Sequence, residues 1–132
     1  MKPDFSGTFV LDRAASMLSE NAAAMQTAVL RIEHDEPRFA CSARFASADD
    51  AVEFNFVRFT DGRQSGAGTQ DVSCCYWDQD TLVSEDRLGA PPANMVMIWR
   101  YELIDHGGRL RAAERMRGHG RDQDNVWEFT RQ

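Results

Sequence analysis

Turn signals punctuate this chain at short intervals, and that punctuation constrains its fold more than any other feature of the sequence. Asp35-Glu36-Pro37, Ala48-Asp49-Asp50, Asp61-Gly62-Arg63, Asp78-Gln79-Asp80, Pro91-Pro92, His106-Gly107-Gly108 and Gly118-His119-Gly120 divide it into runs of strand length. Glycine reaches backbone conformations closed to other residues, proline withdraws a ladder donor, and aspartate bonds its own backbone, so such clusters end strands. Short strands at this regular spacing predict a sandwich or an up-and-down barrel. At 132 residues the chain supports one core, and residues 1–132 are read as a single domain.

One stretch departs from the rhythm. Residues 13–25, RAASMLSENAAAM, are rich in alanine, lack Gly and Pro, and follow Asp12 as an N-cap. They predict a short helix with Met17, Leu18 and Met25 on its apolar side, closing one end of a barrel; a surface connector is the alternative.

Sorting each strand by its two faces exposes the interior. Ala28, Leu30, Ile32 and His34 form one face; Phe39, Cys41, Ala43 and Phe45 the next; then Val52, Phe54, Phe56 and Arg58. Later come Leu82, Ser84, Asp86 and Leu88; Met95, Met97, Trp99, Tyr101 and Leu103; and Leu110, Ala112, Glu114 and Met116. These are read as inward faces because the opposite faces carry most of the arginines, which tolerate burial badly without partners. The inward set nevertheless includes polar side chains: His34, Arg58, Tyr76, Ser84, Asp86, Tyr101 and Glu114. A mixed lining of this kind fits a barrel that encloses a cavity.

Several segments carry a resemblance. DFSGTFVLD (4–12), LRIEHDEPRF (30–39), FTDGR (59–63), YWDQDTLV (76–83) and VWEFTRQ (126–132) resemble, in the same order, strands and turns of bacterial lipocalin-like, calycin-type proteins. The resemblance implies an all-β fold, one antiparallel up-and-down barrel that binds small and often apolar molecules inside. About eight to ten strands of ordinary length account for the chain. Phe9 stands where the family pattern has tryptophan, so the arginine that packs there becomes Arg131 against Phe9, a weaker cation–π contact.

Composition narrows the function. A net charge of −6 gives no footprint for phosphate, so nucleic acid is not an expected partner. No run approaches the roughly 18 apolar residues of a membrane span. The opening MKPDFSGTF lacks a signal-like apolar stretch, and three cysteines at 41, 74 and 75 read as reduced thiols; both point to the cytoplasm. The glycine-flanked His106 and His119 have no second ligand at a suitable spacing, so no metal is expected. No phosphate loop or nucleophile motif calls for a cofactor.

Two functional readings follow. In the first, the barrel holds a small hydrophobic or amphipathic molecule against Phe54, Phe56, Met95, Met97, Trp99, Tyr101 and Met116, with Arg58 and Tyr76 orienting its polar end. In the second, a cofactor-independent isomerase, cyclase or dehydratase uses Asp86 or Glu114 as acid or base, with His34 as partner. A filled barrel acting as a partner-binding or homodimer module, with Val96 and Ile98 as an outer apolar row, is a third alternative.

Overall fold

The computed structural model describes residues 2–65, 71–89, 95–118, 120 and 122–132. Ten strands follow one another: β1 (Gly7–Leu11), β2 (Thr27–Asp35), β3 (Arg38–Ala46), β4 (Ala51–Phe59), β5 (Asp61–Ser65), β6 (Val72–Asp78), β7 (Thr81–Leu88), β8 (Met95–Ile104), β9 (Arg109–Gly118) and β10 (Gln123–Arg131). All pair antiparallel in the order β4-β3-β2-β1-β10-β9-β8-β7-β6-β5. This is a meander whose first and last strands join: Phe9 lies opposite both Leu30 and Arg131. The sheet curls into a nearly closed barrel, and its two end strands, β4 and β5, are not hydrogen-bonded to each other.

The alternation expected from the sequence sets the register. In β2, Ala28, Leu30, Ile32 and His34 are buried, and they face Phe45, Ala43, Cys41 and Phe39 of β3. Those residues in turn face Val52, Phe54, Phe56 and Arg58, which fixes the inward face of β4. A slip of one residue would turn every one of these side chains outward, so burial of the β2–β3 faces holds the β4 pairing as well. Phe5, Phe9, Leu82, Leu110, Trp127 and Phe129 complete the core.

Residues 13–25 correct the expectation of a helix: no α-helix occurs among the described residues. Asp12 does cap a turn, accepting from the Ala15 amide at 3.3 Å. The turn is not propagated because its backbone and serines are engaged elsewhere. Met17 exchanges backbone hydrogen bonds with Val126, the Ser19 amide donates to Asn125 Oδ1 at 2.6 Å, and Ser16 Oγ accepts from the Glu128 amide. A stretch this short gains little from intrinsic helicity, so tertiary bonds of this kind decide its form. Leu18, Ala22 and Met25 still pack against the core, while Met17 is exposed.

The hairpin at Asp78-Gln79-Asp80 forms with Gln79 at φ 56°, and His106 adopts φ 56° within a single 3-10 turn, Asp105–Gly107. Asp61-Gly62-Arg63 belongs to β5 rather than to a turn, with only Thr60 separating it from β4. Pro91-Pro92 and His119 lie outside the described residues. Gly7 has φ +142°, and a Cβ there would stand 3.0 Å from Arg131 Nη1. That space lets the Arg131 guanidinium lie over the Phe9 ring, 4.9 Å from its centroid, and donate to Ser6 O and Gly107 O.

Candidate functional site

Between β2–β4 and β7–β9 the barrel encloses a cavity of about 480 Å³. Its wall is mostly hydrocarbon and aromatic: Leu30, Ala43, Phe45, Phe54, Phe56, Met97, Trp99 and Phe129. Trp99 and Tyr101, two apart on one face of β8, stack with ring centroids 5.9 Å apart and planes 7° from parallel. Period-two alternation puts both rings on the inner surface, where they offer one flat wall.

Arg58, Ser84, Asp86 and Tyr101 reach this apolar space from inward strand positions, and Glu53 and Asn55, on the alternate face of β4, add to its polar lining. Asp86 shares its strand face with Leu82 and Leu88, and its presence there is explained by Arg58, which meets it across the seam where β4 comes up to β5 and β6. Arg58 Nη2 lies 3.5 Å from Asp86 Oδ1, and each side chain retains only about 20% exposure (21% and 20%). The contact is an ion pair without hydrogen-bond geometry. Arg58 Nε and Asp86 Oδ1 are both buried and have no hydrogen-bond partner among the described residues. Burial holds the Tyr101 phenol well above its ordinary range, with the nearby Cys41 thiol and Asp86 adding to the effect, so Tyr101 stays a hydrogen-bond donor.

Glu114 and His34, expected to join Asp86 in an acid/base group, are buried in other settings. Glu114 Oε1 accepts from Asn125 Nδ2 at 2.9 Å and Trp127 Nε1 at 3.2 Å. Asn125 in turn receives the Ser19 amide, so this chain anchors residues 13–25 to β10. His34 Nδ1 accepts the Phe5 amide at 3.1 Å, which leaves Nε2 to carry the ring hydrogen toward Glu36 Oε1 at 2.6 Å. Trp77 Nε1 and Thr60 Oγ1 also donate to Glu36. Phe5, Phe39 and Trp77 surround the imidazole at centroid separations of 5.6–5.9 Å. Neither His34 nor Glu114 lines the cavity, and the three residues do not meet.

Of the expected ligand contacts, Phe54, Phe56, Arg58, Met97, Trp99 and Tyr101 line the cavity together with Asp86. Met95 and Met116 share the inward strand faces but lie beyond the wall. Tyr76 faces outward, opposite Val83, and its hydroxyl donates to Glu85 Oε1 at 3.1 Å. Its neighbours Cys75 and Trp77 lie opposite the inward Ser84 and Leu82, which fixes the parity of β6 against the inward reading of Tyr76. Phe45 and Phe129 were missing from the expected contacts. Alternation had already placed Phe45 inward, and applied to VWEFTRQ it would have placed Phe129 beside Trp127. Cys41, in the wall, and Cys75 are pushed up to about 12 by burial, so both remain thiols.

No family model matches the chain, and no curated protein matches it by sequence. Solved structures do share its fold. Lipid binding protein 8 from Caenorhabditis elegans superposes with a TM-score of 0.63 at 11% identity, over 97% of this chain and 95% of that one. Zebrafish ileal bile acid-binding protein, solved with cholic acid, gives 0.62 at 13% identity, over 97% and 98% of the two chains. Secretory abundant heat soluble protein 4 from Ramazzottius varieornatus gives 0.63 at 15% identity, over 100% and 98%. The calycin-type barrel is therefore common ground, at identities that carry the fold alone.

Proposed function

We propose that this protein binds a small hydrophobic or amphipathic molecule inside its barrel. The observation that carries the reading is the cavity itself: about 480 Å³, walled by apolar and aromatic side chains with a few converging polar groups. That is the size and make-up of sites where apolar surface supplies affinity and sparse polar groups fix orientation. The fold shared with a lipid binding protein and a bile acid-binding protein supports the same reading.

The five lipocalin-like motifs support placing the chain in the bacterial lipocalin-like branch of this fold. Its free cysteines at 41, 74 and 75 support a reducing, cytoplasmic setting, and its net charge of −6 disfavours nucleic acid. A homodimer through the outward row of Val96 and Ile98 has weaker support, because both side chains are already partly covered.

Titration with Nile red, an uncharged hydrophobic dye, tests the reading directly. The expected result is saturable uptake of one dye per chain, with blue-shifted emission, and loss of that uptake in Trp99→Arg, which places a charge in the wall. Absence of uptake by the folded wild-type protein would refute interior binding.

A further inference from the structure

The polar groups of the cavity also bear on which amphipathic molecule it takes; this inference rests on the interior-binding reading. An arginine inside an apolar barrel invites a carboxylate. Here, however, Arg58 already has a carboxylate beside it, with Asp86 Oδ1 at 3.5 Å from Nη2. The two charges cancel within the cavity. Among the described residues, what remains unmet is one donor, Arg58 Nε–H, and one acceptor, Asp86 Oδ1, both buried and without hydrogen-bond partners.

A hydroxyl is the smallest group that answers both needs, since it accepts one hydrogen bond and donates another. A fatty carboxylate answers only the first. It has no hydrogen for Asp86, and it would bring a second negative charge beside an existing one in a poorly hydrated space. Tyr101, held protonated by its burial, adds a donor to the same lining, and Ser84 adds a hydroxyl of either sense. Trp99 and Tyr101 offer a flat surface for the apolar body.

We propose that the cavity selects alcohol-headed amphiphiles over fatty carboxylates, the loosely paired Arg58 and Asp86 side chains parting to admit the guest hydroxyl, which accepts from Arg58 and donates to Asp86. The pair is then a reader of uncharged heads, and Asp86 is the residue that excludes anions.

The test is displacement of Nile red by 1-dodecanol and by dodecanoate at neutral pH. Wild-type protein should release the dye to dodecanol at a concentration about tenfold lower than to dodecanoate, the scale of one charge-assisted hydrogen bond. Asp86→Asn removes the competing charge and leaves Arg58 free, so it should raise dodecanoate affinity about tenfold or more and reverse the order. Wild-type protein that prefers dodecanoate, or an Asp86→Asn variant whose preference does not move, overturns the proposal while leaving interior binding intact. Failure of wild-type protein to take up Nile red removes interior binding and this inference together. Should Asp86→Asn not fold, the wild-type order of the two ligands decides.

Discussion

Two of the polar clusters inside this barrel pair a basic side chain with a carboxylate, and they differ in how completely they are satisfied. Around His34 and Glu36, the imidazole accepts from Phe5 and donates to Glu36, which also receives Trp77 and Thr60. At Arg58 and Asp86, two charges approach at 3.5 Å and leave a buried donor and a buried acceptor unpaired among the described residues. The first cluster is packed among aromatic rings; the second opens on the cavity. A finished network contributes to holding the fold, whereas an unfinished one beside a hollow is poised for a guest. Composition does not separate the two, since each pairs a basic side chain with a carboxylate.

The largest expected effect comes from breaking the finished cluster. His34→Ala strands the Phe5 amide, removes a donor from Glu36 and leaves a gap among Phe5, Phe39 and Trp77. It should destabilise the protein by about 2–4 kcal/mol, combining lost hydrogen bonds with a cavity. Urea denaturation measures this, and Nile red affinity of the remaining folded protein should change less than about threefold, under 1 kcal/mol. A stable variant that loses dye binding would invert the comparison and make His34 part of the site.

The unfinished pair should respond in the opposite way to complete removal. Arg58→Met alone leaves Asp86 without its cation and should cost about 1–3 kcal/mol. Arg58→Met with Asp86→Leu replaces both charges by side chains suited to the apolar wall, so stability should return to within about 1 kcal/mol of wild type. A double variant no better than the single would mean the pair contributes to folding as His34 and Glu36 do. The comparison would then lose its basis.

Much of this was legible in the sequence, for a physical reason that also marks the limit. Alternation of apolar and polar residues reports which face is buried, and it placed Leu30, Cys41, Phe54, Trp99 and Asp86 inward without knowledge of the fold. It reports nothing about depth or partners. His34, Glu114 and Asp86 therefore looked equivalent, although only Asp86 reaches the cavity. β4 was hard to read because it ends the sheet: Val52, Phe54 and Val57 are 40%, 52% and 40% exposed, so burial does not separate its faces. Residues 13–25 failed as a helix for a related reason, since the bonds of Met17 and Ser19 to β10 are long-range and invisible to local propensity.

The smallest effect concerns pH and separates the clusters by charge alone. Burial pushes the Glu36 carboxyl upward, but hydrogen bonds from His34, Thr60 and Trp77 outweigh it and hold Glu36 below its ordinary 4.5. Because the folded value lies below the unfolded one, the unfolded chain binds more protons in acid. The stabilisation is complete above about pH 4.5 and disappears as pH falls through the lowered folded value. With 44% of the Glu36 side chain exposed, solvent screens the interaction and the effect is modest. Glu36→Gln keeps the shape and an acceptor for His34 Nε2–H but cannot titrate. The difference in stability between wild type and Glu36→Gln, measured by urea denaturation from pH 7 down to pH 3, should be flat at first and shrink below pH 4.5. Asp4, 3.8 Å from His34 Nδ1, is also held below its ordinary range, chiefly by the Ser6 amide, but it is retained in both proteins, so its contribution cancels in the difference to first order. A difference that instead stays constant through the acid limb would mean that the Glu36 charge contributes nothing, and that the His34 cluster is held by shape and rings alone.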